Sequence, residues 1–117
     1  MGMSPVLAPP RPDDLDAMFA ALADPTRREI LARLSHGDAT LTDLAQPFAM
    51  SLQAVSQHLG VLERAGLVSR SRAGRQRPCR LETRALDAAV GWIEANTRAW
   101  TERFDKLDAH LRTLEHP

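Results

Sequence analysis

The sequence carries no net charge, no cysteine pair, no long apolar run and no visible catalytic constellation, and each absence narrows what the chain is able to do. No stretch approaches the roughly 20 consecutive apolar residues that a membrane-spanning helix needs, so a soluble chain with no membrane partner is expected. Cys79 is the only cysteine. That excludes a disulfide within the chain and fits a reducing compartment, which makes cytoplasm the expected location. The opening MGMSPVLAPPRP holds four of the eight prolines and lacks the apolar stretch of an export signal. It reads as a disordered arm over residues 1–12. No nucleophile beside a base, phosphate-cradling glycine loop or metal motif stands out, so neither catalysis nor a cofactor is expected.

Zero net charge taken alone argues against a nucleic-acid partner, because such domains are often strongly basic. The distribution argues otherwise. Residues 39–84 hold seven Arg against Asp43, Glu63 and Glu82, a net of +4, while 1–38 and 85–117 each come to −2. A neutral chain with one basic segment can hold phosphates locally while its other surfaces stay mildly acidic. At 117 residues, with 44% hydrophobic and 26% charged residues, the chain is the size of one globular domain.

Leu15, Met18, Phe19 and Leu22 recur at helical spacing and predict a first helix over roughly 13–23. Asp24-Pro25 then supplies a cap acceptor and a proline at the first helical position, ahead of the apolar face of Ile30, Leu31 and Leu34. Gly37 ends that second helix. Thr40 to Asp43 matches a capping box, and Pro47 keeps the third helix short, over 40–46. Ser51 caps a fourth helix over 51–64, with Met50 placed to staple against Val55. On that helix Val55, Leu59 and Leu62 share one face; Gln53, Gln57, Gly60 and Arg64 share the opposite face, with Ser56 at the edge. Gly66 stops it, and 67–72 and 76–82 read as two strands around Ala73-Gly74-Arg75. From Arg84 onward Leu86, Val90, Ile93, Thr97, Trp100, Phe104, Leu107, Leu111 and Leu114 alternate spacings of four and three, a coiled-coil seam. One small domain cannot bury such a stripe, so a second copy is its expected partner.

The short helix, the turn at 47–50 and the helix 51–64 have helix-turn-helix spacing, and a basic hairpin follows at once. The expected fold is mainly α with a small β-hairpin wing: a winged helix-turn-helix over 13–83, with the dimerisation helix 84–117 part of the same domain. A second helix of this kind lies in the major groove of double-stranded DNA. Gln53, Ser56 and Gln57 are expected on base edges, since Gln pairs bidentately with adenine and Ser both donates and accepts. Ser51, Arg64, Arg70, Arg72, Arg75 and Arg77 are expected to hold the DNA backbone.

Several motifs stand in register: ADPTRR at 23–28, S-x-x-x-x-S-x-H-L at 51–59, L-x-x-A-G-L-V at 62–68 and G-R-x-R at 74–77. Across 21–34 and 41–81 the chain thereby resembles the ArsR/SmtB family of bacterial winged-helix repressors. The resemblance implies a homodimer joined through its first and last helices, bound to a roughly palindromic operator near its own promoter. Leu15, Phe19, Val90, Ile93, Trp100, Phe104, Leu107 and Leu111 are the residues assigned to that interface. The metal-sensing members carry a cysteine pair in the helix corresponding to 40–46, where this chain reads TLTDLAQ. Asp108, His110 and His116 match a second metal-site pattern only superficially, with the wrong separation, so no metal is expected.

Some residues admit two readings. Cys79 is either a thiol switch, activated by Arg77 and Arg80, or a small buried hydrophobe. His58 lies beside the apolar face and is expected to be a hydrogen-bonded support rather than a ligand. Trp92 and Trp100 are expected at an interface rather than around an effector, whose identity the residues do not name. Pro78 lacks a ladder donor, so an irregular second strand is expected. The competing functions are a repressor gated by metal or thiol chemistry and a winged-helix protein-interaction module, the latter disfavoured by the polar outer face of 51–64.

Overall fold

The computed structural model describes residues 12–71 and 74–115, the side chains of residues 12, 13 and 115 excepted. Of the predicted arm, residues 1–11 lie outside the described residues, as do Arg72, Ala73 and His116; Pro12 already opens the first helix. The chain runs α1 (Pro12–Leu22), α2 (Pro25–Leu34), α3 (Leu41–Ala45), α4 (Leu52–Arg64), β1 (Val68–Arg70), β2 (Cys79–Leu81) and α5 (Thr83–Glu115). Among the described residues no helix is long and apolar enough to cross a membrane.

Local chemistry accounts for the helix boundaries. Asp24 accepts the Arg27 N–H at 3.0 Å and so caps α2. Thr40 and Asp43 exchange reciprocal bonds of 3.1 and 3.2 Å, which completes the capping box of α3. Ser51 accepts the Ala54 N–H at 3.1 Å at the start of α4. The far end of α4 closes on Gly66, at φ 77°. There the Leu67 N–H donates to the Leu62 carbonyl at 2.9 Å and the Gly66 N–H to Glu63 at 3.0 Å. That paired pattern satisfies the last carbonyls, and both Leu62 and Leu67 are fully buried beside it.

The core sits where α1, α2, α3, α4 and the hairpin converge, with Ile30, Leu44, Val55, Leu59 and Leu62 among its innermost side chains. The hairpin is shorter than the sequence suggested. Each strand keeps three residues, paired Val68 with Leu81, Ser69 with Arg80 and Arg70 with Cys79. Pro78 offers no N–H and Arg77 sits in the left-handed region at φ 43°, so the second strand can begin only at Cys79. Ala39 then pairs with the other edge of Cys79, through bonds of 3.1 and 2.7 Å.

Only the first two turns of α5 pack on this core, through Ala85, Leu86, Ala88 and Ala89. Every described side chain from Val90 onward is exposed. The helix therefore projects as a rod, and the radius of gyration is 20.2 Å, against about 13 Å for a compact chain of this length.

Two outcomes follow from the caps. A Cβ at Gly66 would lie 3.8 Å from the Ala85 Cβ, an ordinary contact, so Gly66→Ala is expected to cost about 1–2 kcal/mol through backbone strain alone. A shifted denaturant midpoint with an unchanged slope checks this. The N–H bonds that Asp24 and Asp43 accept hold both carboxyls below their ordinary value of 3.8, led by Arg27 for Asp24 and by Thr40 for Asp43. A lowered folded-state pKa means that the unfolded chain binds protons first, so this stability is present above 3.8 and drains away as pH falls through the folded values. Asp24→Asn keeps the cap but not the titration, and its unfolding midpoint is expected to vary less steeply with pH in that acid range than that of the parent.

Candidate nucleic-acid interface

The buried stripe of α4 faces inward through Val55, Leu59 and Leu62, each at 0% exposure. This rotation leaves Gln53, Gln57 and Arg64 exposed and Ser56 half-buried at the margin. Arg64 lies back along the same face: a Cβ built on Gly60 would come within 3.2 Å of its guanidinium. Ser51 is exposed at the first turn, its hydroxyl already committed to the cap. Leu52 is 51% exposed beside Gln53. Spacings of three, four and three put Leu52 in line with Val55, Leu59 and Leu62, so the sequence reads it as one more member of the buried stripe and only the structure shows it exposed at the first turn. An exposed apolar group at the head of such a helix suits a thymine methyl.

The wing departs from expectation in which of its cations are committed. Few acids lie near these arginines in sequence, yet Arg70 has its Nε 2.7 Å from Glu63 Oε1 and is only 21% exposed. Its Nε has no well-directed hydrogen bond, so the contact is an ion pair only. Arg70 is thus tied to the end of α4, with its charge already opposed by Glu63, although it borders the same hollow as the other wing arginines. Arg80 is likewise held by Asp38 at 3.2 Å, 42 residues away in sequence. Arg75 and Arg77 are exposed and form no ion pair among the described residues. Together with Gln76 they border an open hollow of about 530 Å³, whose other side is Thr40, Thr42 and Asp43 at the head of α3. Arg72 lies outside the described residues.

Cys79 forms part of the floor beneath the wing and is 1% exposed. Burial pushes its thiol pKa up, only partly offset by the charge of Arg70. Desolvation therefore outweighs the neighbouring cations that the sequence suggested would activate it, and the group stays protonated at neutral pH.

His58 is a support, as expected, and its partners are specific. Its Nδ1 lies 3.4 Å from Arg27 Nη1 and 3.9 Å from Asp24 Oδ2. Arg27 in turn donates to the Ala21 carbonyl at 2.7 Å and the Ala20 carbonyl at 3.0 Å, at the end of α1. One guanidinium thus ties α1 to α4. The sequence showed the ADPTRR motif without revealing this role for Arg27.

The residues assigned to an interface fall in two places. Phe19 meets Trp92 edge-on within the chain, with ring centroids 6.0 Å apart, while Leu15 is half-buried nearby. Trp92 also lines an open groove of about 840 Å³ between α1, the end of α4 and the start of α5; Trp100 does not. Val90, Ile93, Trp100, Phe104, Leu107 and Leu111 stand exposed along the projecting part of α5. Asp108 is ion-paired with Arg112 at 3.0 Å.

Residues 22–70 match a family described as a helix-turn-helix domain. Transcriptional repressor SdpR of Bacillus subtilis (strain 168) is 37% identical over 79 residues, covering 68% of this chain and 88% of that protein. A crystal structure described as that of an ArsR family transcriptional regulator superposes with a TM-score of 0.72 at 40% identity, covering 75% of this chain and 97% of the other. The chain belongs to the ArsR family. A further solved relative is the solution structure of a homodimeric winged helix-turn-helix DNA-binding domain from Mycobacterium bovis, with TM-score 0.58 at 28% identity over 74% of this chain and 82% of that one. The ArsR-family chain is accordingly a transcriptional regulator of winged helix-turn-helix architecture.

Its thiol chemistry is open to direct measurement. Native protein is expected to react with a disulfide reagent on the order of tenfold or more slowly than the same protein in denaturant, because Cys79 is both buried and protonated. Equal rates in the two states would restore the thiol switch.

Proposed function

We propose that this ArsR-family regulator is a cytoplasmic homodimeric repressor, each protomer laying α4 in the major groove of an operator half-site with its wing against the adjacent backbone. The observation that carries the reading is the polar outer face of α4, from Gln53 through Gln57 to Arg64, together with two exposed wing arginines, Arg75 and Arg77, that form no ion pair among the described residues. Gln53, Ser56 and Gln57 read bases, Arg64, Arg75 and Arg77 hold phosphates, and Ser51 presents its helix start to the backbone. The homodimeric relative and the repressor relative support the assembly and the sign of regulation. Two such helices reach successive grooves about 34–36 Å apart, and occupancy of the site occludes a promoter. The dimer is joined through Leu15 and Phe19 of α1 and the exposed face of α5, with 84–117 serving as a dimerisation helix of the same domain.

Salt titration tests the reading residue by residue. Arg75→Ala and Arg77→Ala are each expected to weaken binding to all sequences and to flatten the log–log salt dependence by about 0.9 per lost phosphate contact. Arg70→Gln is expected to leave that slope unchanged, because its charge is spent on Glu63. Gln57→Ala is expected to relax preference at one base pair by about 1–3 kcal/mol without altering the slope. Identical slopes for the Arg75 and Arg77 variants and the parent would remove the wing from the mechanism.

A further inference from the structure

Among the described residues the large exposed hydrophobic side chains lie on α1, as Phe19, or on α5, from Val90 to Leu114, with a single exception. That exception is Leu52, 51% exposed in the first turn of α4. Its place is fixed from both sides. The Ser51 hydroxyl accepts the Ala54 N–H and the Ser51 carbonyl accepts the Val55 N–H, each at 3.1 Å, so the backbone around Leu52 is held at the helix start. Val55, three residues on, is 0% exposed. The core therefore stops one turn short of the head of α4, and Leu52 projects beyond it.

Its neighbours on the outer surface are polar. Ser51 and Gln53 are exposed, and half-buried Ser56 lies one turn on, about 40° round the helix. Leu52 and Ser56 thus form one row of i,i+4 neighbours beside a second row of Gln53 and Gln57. A lone leucine in such a setting is far too small an apolar area for a protein partner, whose interfaces bury on the order of 800 Å² a side. It is the size of one contact with a base edge.

The chemistry of the major groove selects which base. Leucine neither donates nor accepts a hydrogen bond. Every group that the base pairs show in that groove is a donor or an acceptor, except the 5-methyl of thymine. A leucine laid over guanine, adenine or cytosine would take such a group out of water and offer it no partner. Thymine alone supplies an apolar contact. Adjacent Cα atoms are about 3.8 Å apart and base pairs rise by about 3.4 Å, so side chains adjacent in sequence reach adjacent base pairs.

We propose that Leu52 is a specificity-determining residue that selects thymine through its 5-methyl group, at the base pair next to the adenine read by Gln53. This rests on the operator reading above and deepens it, because that reading gave bases to polar side chains alone.

Replacing thymine by uracil removes the methyl and leaves every hydrogen-bonding group of the base in place. The parent protein first recovers its preferred duplexes from a random library, and each thymine of the recovered site is then changed singly to uracil. At one position in each half-site uracil is expected to weaken binding by the parent about fourfold, the worth of one buried methyl-sized group. At that position Leu52→Ala binds the thymine and uracil duplexes alike, and Leu52→Met keeps the preference. Both variants retain the parent's log–log salt slope, since no phosphate contact is lost. Half exposure of the site lets Leu52→Ala fold, which its unfolding midpoint checks; should it not fold, Leu52→Gln removes the same apolar contact with a side chain of similar length. Uracil penalties identical in the parent and in the folded variant at every position overturn the proposal and leave the operator reading standing. A library that yields no preferred sequence overturns the operator reading, and this proposal with it.

Discussion

The burial of Val55, Leu59 and Leu62 on one stripe of α4 fixes the rotation of that helix about its axis, and with it everything the helix presents to solvent. Burying each such side chain contributes roughly 1.5–3 kcal/mol, so a rotation that exposed the stripe and buried Gln53 and Gln57 would forfeit several kcal/mol before counting the unpaired amides. No surface contact in the molecule competes with that. The Ser51 cap and the Gly66 closure hold the two ends, and Arg27 ties the middle, through His58, to the carbonyl end of α1. The outer polar face is rigid because three independent devices hold the inner one.

Charge distribution does for the wing what burial does for α4. A chain with no net charge gains little from long-range attraction to a polyanion, so any phosphate recognition must come from cations left uncommitted at the right place. Glu63 and Asp38 remove Arg70 and Arg80 from that set, and in doing so they brace the root of the hairpin against α4 and the α2–α3 connection. The tip residues Arg75 and Arg77 stay outside these pairs. The hairpin thus divides into an anchored base over a buried, protonated Cys79 and a presented tip.

The long last helix links the two halves of the functional argument. Its first two turns close the core of the protomer, and the described remaining turns carry an exposed apolar stripe. In the proposed homodimer one continuous helix serves both purposes, which connects the placement of α4 within a protomer to the placement of the two protomers relative to each other.

How much of this was legible in the sequence depended on the range of the interaction concerned. Helix starts at Asp24, Thr40 and Ser51 were readable because a cap joins residues three apart, and the α4 stripe and the α5 seam were readable because helical periodicity is local. Strand extents were overestimated, because Arg77 in a left-handed conformation ahead of Pro78 shortens the hairpin and the letters do not announce backbone dihedrals. Neither the Glu63 partner of Arg70, across a turn, nor the Asp38 partner of Arg80, 42 residues distant, could be read from the order of the letters. The same holds for Arg27 and His58, 31 residues apart, and for Cys79, whose protonation is decided by burial against Ala39 and the core rather than by the arginines beside it in sequence. The sequence by itself determined the order of elements, the inward and outward faces of α4 and the presence of a long apolar stripe on α5, since all of these are short-range patterns. Only the tertiary structure decided which arginines remain available, which thiol is silenced and what holds the recognition helix in place, since each depends on groups brought together across the fold.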